Sequence, residues 1–366
     1  MMKYIYISAV LIFDKVSVEK KGKKSTNQSG SLLILVLWAL FFLTSLALTA
    51  GVYVSGGLAI AKEIKGRTSA RALALTGVER AIMEVMVDTN WWDGVEETWS
   101  KGSSVHNDWK IENGFYIVCS STDALNKNLD SIQKIGKNEF LGLEDEERRV
   151  NINTASAGLL SALIEIVCRV DSMSASEISA SIIDWRDEDD IVTPGGAENS
   201  YYLRMGYSCA NRQFYSVHEL LLVKGIKPEI YQQLMPYITI FGSGKININT
   251  ADEKVLFAAI YASSGMARNE CQTLAQKIVR LRQNGKVFDS SDAFAIIKRL
   301  EENFTLNPVE KSALGAFLGS GMVTVKSSCF RGISTGLAGS NGKEFSKKTV
   351  NFVINRTGRI LLWNED

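Results

Sequence analysis

Residues 31–61 read SLLILVLWALFFLTSLALTAGVYVSGGLAIA and contain no charged residue. As a helix, the densest part at 32–50 is long enough to cross a bilayer core of about 30 Å. The rest of the chain has the balanced composition of a soluble protein. The core of such a protein would not bury a helix that is apolar on every side. The stretch therefore predicts a membrane segment.

The residues before this stretch indicate how the chain is processed. A basic cluster (Lys20, Lys21, Lys23, Lys24) and the segment STNQSG lead into the apolar run without a break. A secretory signal peptide is cut after its apolar region, whereas the plausible junction here, Gly30–Ser31, precedes it. A cut there keeps the hydrophobic helix on the mature chain, which resembles the processing of type IV prepilins and pseudopilins. The alternative is an uncleaved signal anchor with positive-inside orientation.

The helical pattern continues beyond the apolar run. Apolar residues at 70, 73, 74, 77, 78, 81, 82, 85 and 86 have the spacing of one helix face. We therefore expect one helix from about Ser31 to Val87, with its first half in lipid and its second half packed on a soluble body. An ordinary anchor followed by an unrelated juxtamembrane helix is the alternative.

Two β-rich regions flank a helical one. Gly114–Ser121 is predicted to be a strand, and the segment after residue 320 predicts further strands, with Asn355–Gly358 as a hairpin turn. The strands before 150 and after 320 are expected to pair in one sheet, with a helical region at 151–318 inserted between them. The charged segment Glu144–Arg149 is expected to be exposed.

The helical region contains an internal repeat. RVNINTASAGLLSALI at 149–164 resembles KININTADEKVLFAAI at 245–260, and both resemble the entry to a helix-hairpin-helix unit. Thr154 is the predicted cap of a helix starting at Ala155. A second such signature has the turn Lys224–Gly225–Ile226, after which Pro228 opens a helix.

Charge and cysteine content exclude some functions. The formal net charge is +1, and residues 1–30 are strongly basic, so the remainder is slightly acidic and does not suggest nucleic acid as an obligate partner. The five cysteines show no metal-site spacing. If the body is extracytoplasmic, one or two disulfides are possible, and the pairing stays open.

Residues 187–199, DEDDIVTPGGAEN, form one dense cluster of hard oxygen ligands, which we call the acidic loop. Carboxylates with amide and backbone oxygens suit Ca²⁺. The loop lacks the ligand spacing of an EF-hand, and composition alone favours a solvated acidic turn. No nucleophile stands nearby at a recognisable spacing, so catalysis is not expected.

Several motifs together resemble one family. The pattern DW-x-D-x-D-D…P-x-GAE-x-x-YY at Asp184–Tyr202 is flanked by two NINTA motifs and by F-x-S-V-x-E-L at Phe214–Leu220. With the Gly30 junction and with Leu35 where most pilins have Glu, these motifs resemble the general secretion pathway protein K family, the minor pseudopilin K of type II secretion. The resemblance implies an α+β pseudopilin fold, with a long N-terminal helix on a small antiparallel sheet and a large inserted α-helical domain.

The resemblance also implies a role and a domain plan. The role is structural and not enzymatic: a place at the tip of the pseudopilus, initiating or capping the fibre that exports folded proteins across the outer membrane. The chain would lie in the inner membrane as a single pass, with its bulk in the periplasm. The implied parts are the leader 1–30, the N-terminal helix 31–90, the pseudopilin body 91–150 with 319–366, and the inserted domain 151–318.

Partners and a cofactor follow from the same resemblance. The implied partners are the I- and J-type minor pseudopilins, the inner-membrane secretion platform and the prepilin peptidase, which cleaves between Gly30 and Ser31 before methylation. The resemblance further implies calcium in the acidic loop. By motif match, the implied ligands are Asp187, Asp189, Asp190, Glu198 and Asn199.

Two other functions compete with this one. A membrane-anchored helix-hairpin-helix DNA receptor would bind duplex phosphates through the Lys224–Gly225–Ile226 turn. Against it, Lys227 and Pro228 replace the second Gly of the usual hairpin, and acidic residues offset the basic ones nearby. A metal-dependent enzyme would need convergent polar groups, and the sequence indicates none.

Overall fold

The computed structural model describes residues 29–102, 114–135, 138–339 and 346–366, so residues 1–28 of the predicted leader lie outside the described residues. The chain divides into two compact units, 1–62 and 63–366. In the first unit, residues 31–62 are helical and exposed. This helix is long and apolar enough to cross a membrane, with a mean hydropathy of 2.5 over its most apolar window, and it fits a single-pass anchor.

The described residues form eleven α-helices and ten strands. The helices are α1 (Ser29–Val87), α2 (Thr98–Lys101), α3 (Thr122–Ile135), α4 (Ala157–Cys168), α5 (Ser172–Arg186), α6 (Asn199–Tyr202), α7 (Pro228–Leu234), α8 (Glu253–Ser264), α9 (Arg268–Gln283), α10 (Ala293–Glu301) and α11 (Pro308–Gly319). The strands are β1 (Gly114–Cys119), β2 (Glu139–Phe140), β3 (Glu144–Asp145), β4 (Val150–Asn151), β5 (Ile238–Thr239), β6 (Ile246–Asn247), β7 (Val323–Thr324), β8 (Cys329–Ala338), β9 (Ser346–Asn355) and β10 (Ile360–Glu365). Short 3₁₀ helices lie at Glu146–Arg148, Leu203–Met205, Val217–Leu222 and Met235–Tyr237.

One helix face of the second unit packs on a β-sheet. Residues 70, 73, 74, 78, 81 and 85 of α1 are buried, as their spacing of three and four predicts. They share a core with Val118, Phe330 and Phe352 of the sheet. Gly336 of β8 permits close contact, because a Cβ there would lie 2.0 Å from the carbonyl oxygen of Ala70.

The sheet joins the two β-rich ends of the chain. Its strand order is β10–β9–β8–β1–β2, and β3 also pairs with β8. Strands β1, β8, β9 and β10 are antiparallel neighbours, with Ile117 opposite Thr335 and Phe352 opposite Gly332. The prediction that strands before 150 and after 320 form one sheet is therefore confirmed, and the turn at Asn355–Gly358 does separate β9 from β10.

The inserted helical region consists of two copies of one unit. Each copy opens with a two-residue strand and two helices, and it closes with a strand parallel to the first. In the first copy β4 pairs with β5, and in the second β6 pairs with β7. A continuous core links the two copies, with α4 against α8 and α8 against α11.

The same side-chain contacts stabilise both copies. Arg186 donates to the carbonyl oxygens of Ile152 and Ala155, while Arg282 donates to those of Ile248 and Ala251 at 2.9 and 2.8 Å. The NINTA asparagines also match, since Asn153 exchanges two hydrogen bonds with the backbone of Phe214, and Asn249 does so with Phe288. The sequence repeat is thus a structural duplication.

The largest difference between the copies is an insertion in the first one. Residues 283–287 connect the arginine of the second copy to Phe288, whereas residues 187–213 connect Arg186 to Phe214. The acidic loop lies within this longer connection. Because the second copy folds without it, the loop is an addition to the duplicated unit.

Several local predictions were wrong. Ser156, not Thr154, caps α4, which begins at Ala157. Helices α3 and α11 were not predicted, and the segment Val217–Leu222 before the Lys224–Gly225–Ile226 turn is a 3₁₀ helix.

The segment Glu144–Arg149 was wrongly expected to be exposed. Asp145, Glu146 and Glu147 are almost fully buried. Distant donors explain the burial: Ser327 Oγ and Asn247 Nδ2 donate to Asp145 Oδ2 at 2.6 and 3.1 Å. These acids therefore tie the sheet to the second copy of the helical unit.

The cysteines do not form disulfides. All five lie among the described residues and are free, and four of them are buried. Burial raises the pKa of Cys119, Cys168, Cys209 and Cys329 to about 11. They behave as small core residues with unreactive thiols.

Candidate cation site in the acidic loop

The end of α5 places the first two carboxylates of the site. Asp184 lies in the last turn of this helix and Asp187 follows its last residue, so the two are neighbours on one helix face. The C-terminus of a helix carries partial negative charge. Two acids there are unfavourable unless a cation or donors offset them.

A turn then brings the chain back over Asp184. The backbone N–H of Thr193 donates to both carboxylate oxygens of Asp184 at 3.2 Å. Gly196 follows, and a Cβ at this position would lie 2.1 Å from Asp184 Oδ2. The loop comes this close because residue 196 has no side chain.

Glu198 completes a group of three carboxylates. One oxygen each from Asp184, Asp187 and Glu198 lie within 4.8 Å of one another. Asp184 is fully buried and Glu198 is 1% exposed. Three acids at this separation repel one another strongly in a buried environment.

Several buried oxygens in this group and its surroundings accept no hydrogen bond from an N–H or O–H donor among the described residues, and we call them unpaired. They are both carboxylate oxygens of Glu198, Oδ1 of Asp187 and, in the same loop, Oδ1 of Asn211. Glu198 has only the Cys209 thiol, which is a weak donor. Native proteins pair nearly all buried polar atoms. A bound cation would pair these acceptors.

The pKa values of Glu198 and Asp187 are raised, as the repulsion among these carboxylates predicts. Burial, together with the charges of Asp184, Asp187 and Asp190, raises the pKa of Glu198 to about 7. Burial and the neighbouring carboxylates of Asp189 and Asp184 also raise the pKa of Asp187. A cation among these groups would favour their ionised forms.

The structure divides the five predicted ligands into two sets. Asp187 and Glu198 face each other within the cluster. The exposed Asp190 instead accepts hydrogen bonds from Asn199 Nδ2 at 2.8 Å and Asn211 Nδ2 at 3.1 Å. Asp189 is exposed, and its carboxylate accepts a hydrogen bond from the backbone N–H of Ile191.

Asn199 and Asn211 hold the loop in shape. Asn199 Oδ1 accepts from the N–H of Cys209, and Asn211 donates to the carbonyl oxygen of Asp189. Asn211 adopts a positive φ of 44°, which asparagine tolerates better than most residues. The side-chain amides of these two residues therefore join the first part of the 187–213 segment to its last part.

Two residues of the site were missed from the sequence. Asp184 stands in the DW-x-D pattern, and its spacing of three from Asp187 on a helix is the signal that could have found it. Asn211 lies 12 residues after Asn199 in a segment without a motif. Its proximity depends on the path of the loop, which local sequence does not fix.

The donor set fits a hard divalent cation. Every unpaired acceptor is a carboxylate or amide oxygen, and Ca²⁺ takes six to eight such oxygens in flexible geometry. Asp184, Asp187 and Glu198 would hold the ion, with Asp189, Asp190 and the asparagines beside them. Asp189 and Asp190 are exposed, so water would supply further ligands on that side.

A second acidic group resembles this one only in composition. Asp88, Asp93 and Glu97 also come within 4.8 Å. Arg356, however, forms ion pairs with Asp88 and Asp93, and the N–H groups of Gly94 and Trp99 donate to Glu97. The protein itself supplies positive charge and donors here.

Comparison with known proteins points to one family. Residues 128–243, which include the acidic loop, match the family model for type II secretion system (T2SS), protein K. Type II secretion system protein K of Aeromonas hydrophila is 33% identical over 141 residues, which cover 37% of this chain and 41% of that protein. The protein of the same name from Pectobacterium carotovorum subsp. carotovorum is 32% identical over 113 residues, covering 29% and 34%.

The matched segments thus span about two fifths or less of the length of these curated relatives. A solved structure extends the likeness to the fold. The GspK chain in the crystal structure of the GspK-GspI-GspJ complex from enterotoxigenic Escherichia coli matches with a TM-score of 0.54 at 18% identity. The alignment covers 86% of this chain and 99% of that one. Residues 128–243 are therefore similar to type II secretion system protein K, and the chain shares its fold with this solved structure.

Proposed function

We propose that the protein is a minor pseudopilin of a type II secretion system, with a structural and not a catalytic role. One observation carries the proposal: a single long helix is apolar in its first half and packs on an antiparallel sheet in its second half. A fibre can be built from such a helix by packing the apolar halves of neighbouring subunits together. The fold match over most of the chain supports the same function.

The proposed position is the tip of the pseudopilus. The inserted pair of helical units makes the head bulky, which suits the end of a fibre better than its repeating shaft. Leu35 stands where most pilins have a glutamate, so this chain has no carboxylate there for the terminal amine of a neighbour. The partners we propose are I- and J-type minor pseudopilins, because the solved relative is in a complex with GspI and GspJ.

We propose that the apolar helix lies in the inner membrane and that the rest of the chain lies in the periplasm. A prepilin peptidase would cut between Gly30 and Ser31, after which the new amine would be methylated. The experiment is mass spectrometry of the full chain after co-expression with a prepilin peptidase. A mature chain that starts at Ser31 supports the proposal, with Gly30→Leu as the uncut control. An intact leader on the unaltered chain would reduce the helix to a plain signal anchor.

We also propose that the acidic loop binds one or more calcium ions. The unpaired buried oxygens of Glu198 and Asp187 support this, together with the hard-oxygen donor set. Bound calcium would neutralise the acids at the end of α5 and hold Glu198 against it. The inserted helical region would then be rigid enough to contact the other minor pseudopilins at the tip of the pseudopilus.

The DNA-receptor hypothesis gains no support. The comparisons name secretion proteins, and the Lys224 ammonium donates to two carbonyl oxygens within the protein. These two hydrogen bonds occupy two of the three donors of the Lys224 ammonium.

A further inference from the structure

One lysine of the Lys224–Gly225–Ile226 turn reaches into the acidic loop. Lys224 Nζ donates to the carbonyl oxygens of Gly195 and Gly196, each at 3.0 Å. The Lys224 ammonium therefore holds the acidic loop at Gly196, two residues before Glu198. The other side of the loop is in contact with Asp184.

The same residue also contacts the segment after Glu198. The backbone N–H of Lys224 donates to the Tyr202 hydroxyl at 3.2 Å, and its ammonium lies 5.6 Å from the centre of the Tyr201 ring. Tyr202 is fully buried and packs edge-on against Trp185 at the end of α5. Lys224 thus fixes the chain on both sides of Glu198.

Close approach of the loop is what brings the carboxylates together. Gly196 touches Asp184 on its inner side, and Lys224 holds its carbonyl oxygen on the outer side. Without the ammonium, the repulsion among the acids would favour a loop that lies farther from α5. The separation of Glu198 from Asp184 and Asp187 would then increase.

The duplicated unit offers an internal comparison. Aligning the turns on Pro228 and Pro308, which open α7 and α11, places Phe304 of the second copy opposite Lys224. The second copy has no acidic loop. Lys224 therefore occurs in the copy that contains the acidic loop.

We propose that Lys224 is a positioning residue for the cation site: it holds the Gly195–Gly196 carbonyls so that Glu198 meets Asp184 and Asp187. This inference rests on the proposed cation site. Simple charge repulsion makes the opposite prediction, because removing a lysine near a cation would by itself tighten cation binding. The sign of the change therefore separates the two explanations.

The test is calcium titration of the full-length chain in detergent, by calorimetry, for the unaltered protein, Lys224→Met and Lys227→Met. Methionine keeps much of the aliphatic stem and removes the donor. Lys227 is exposed and three residues away, so its variant matches the charge change without breaking the contact. We expect Lys224→Met to bind calcium about tenfold more weakly, as for other residues that orient metal ligands, and Lys227→Met to bind as the unaltered chain does. Lys224→Arg should recover part of the affinity, because a guanidinium also offers two donors.

Each outcome has one meaning. Equal or tighter calcium binding by Lys224→Met, while the unaltered chain binds, overturns the positioning role and leaves the cation site standing. Failure of the unaltered chain to bind calcium overturns the cation site, and the role of Lys224 falls with it. A Lys224→Met chain whose melting temperature in EDTA equals that of the unaltered chain shows that the weaker binding is not a folding defect.

Discussion

Replacing Glu198 by glutamine removes one charge from the carboxylate cluster while keeping the side-chain shape. Both oxygens of Glu198 are buried and unpaired, so the ionised side chain costs stability when no cation is bound. We therefore expect Glu198→Gln to be more stable than the unaltered chain in EDTA. Most substitutions of buried residues have the opposite sign.

The magnitude follows from the pKa of Glu198. The folded state raises it from the ordinary value of 4.5 to about 7. An acid with a raised pKa in the folded state loses stability as pH rises from the unfolded-state pKa through the folded-state pKa, at about 1.4 kcal/mol per pKa unit. Because Asp190, one of the charges that raise this pKa, is exposed and screened by solvent, we expect a gain of only about 1–2 kcal/mol for the variant at pH 8. Near pH 4 the gain should vanish, because the unaltered Glu198 is protonated in the folded and largely also in the unfolded chain.

Calcium should reverse the order of stability. A ligand at 100 times its dissociation constant stabilises the folded state by about 2.7 kcal/mol. The unaltered chain should gain this increment, while Glu198→Gln should gain little. Glu188→Gln, an exposed residue of the same loop, is the matched control and should behave as the unaltered chain does.

The assay is thermal or urea unfolding of the full-length chain in detergent, with EDTA and with calcium, at pH 4 and pH 8. A Glu198→Gln chain that is less stable in EDTA at pH 8 would refute the electrostatic argument. Equal stabilisation of both chains by calcium would refute the role of Glu198 as a ligand.

Three further predictions concern the same framework. Arg282→Met and Arg186→Met should each lower the unfolding free energy by about 2–4 kcal/mol in urea titrations, because each leaves two buried carbonyl oxygens unpaired; a loss in one variant alone would contradict the structural duplication. Gly196→Ala should abolish calcium binding in calorimetry, since its Cβ would displace Asp184, and unchanged affinity would contradict the close approach. Burial and Glu147 raise the pKa of Asp145 to about 8, so the urea midpoint should fall as the pH rises from 5 to 8, and this fall should weaken in Asp145→Asn; an equal fall in that variant would show that Asp145 is not its source.

The sequence predicted the features that local periodicity determines. Helix α1 was found because its buried residues recur at three and four positions from Ala70 to Val85, and the hairpin because Gly358 follows alternating strand residues. The repeated NINTA entries likewise predicted a repeated unit. Its duplicated arginine contacts became visible only in the structure, because Arg186 and Ile152 are far apart in the chain.

Features that depend on distant partners were not predictable in this way. Asp145, Glu146 and Glu147 read as an exposed charged run, but their donors come from positions as far away as Ser327 and Arg331. Asp184 looked like a helix residue, since its role depends on the return of the loop through Gly196. In both cases the sequence shows which group needs a partner, and only the fold shows where that partner lies.

We propose that this chain assembles with other minor pseudopilins. The most direct measurement mixes the purified full-length chain with I- and J-type minor pseudopilins of the same secretion system in detergent, followed by size-exclusion chromatography with light scattering. We predict a stable complex containing one copy of each protein. A chain that elutes alone at micromolar concentration with both partners present, while they bind each other, would contradict the claim.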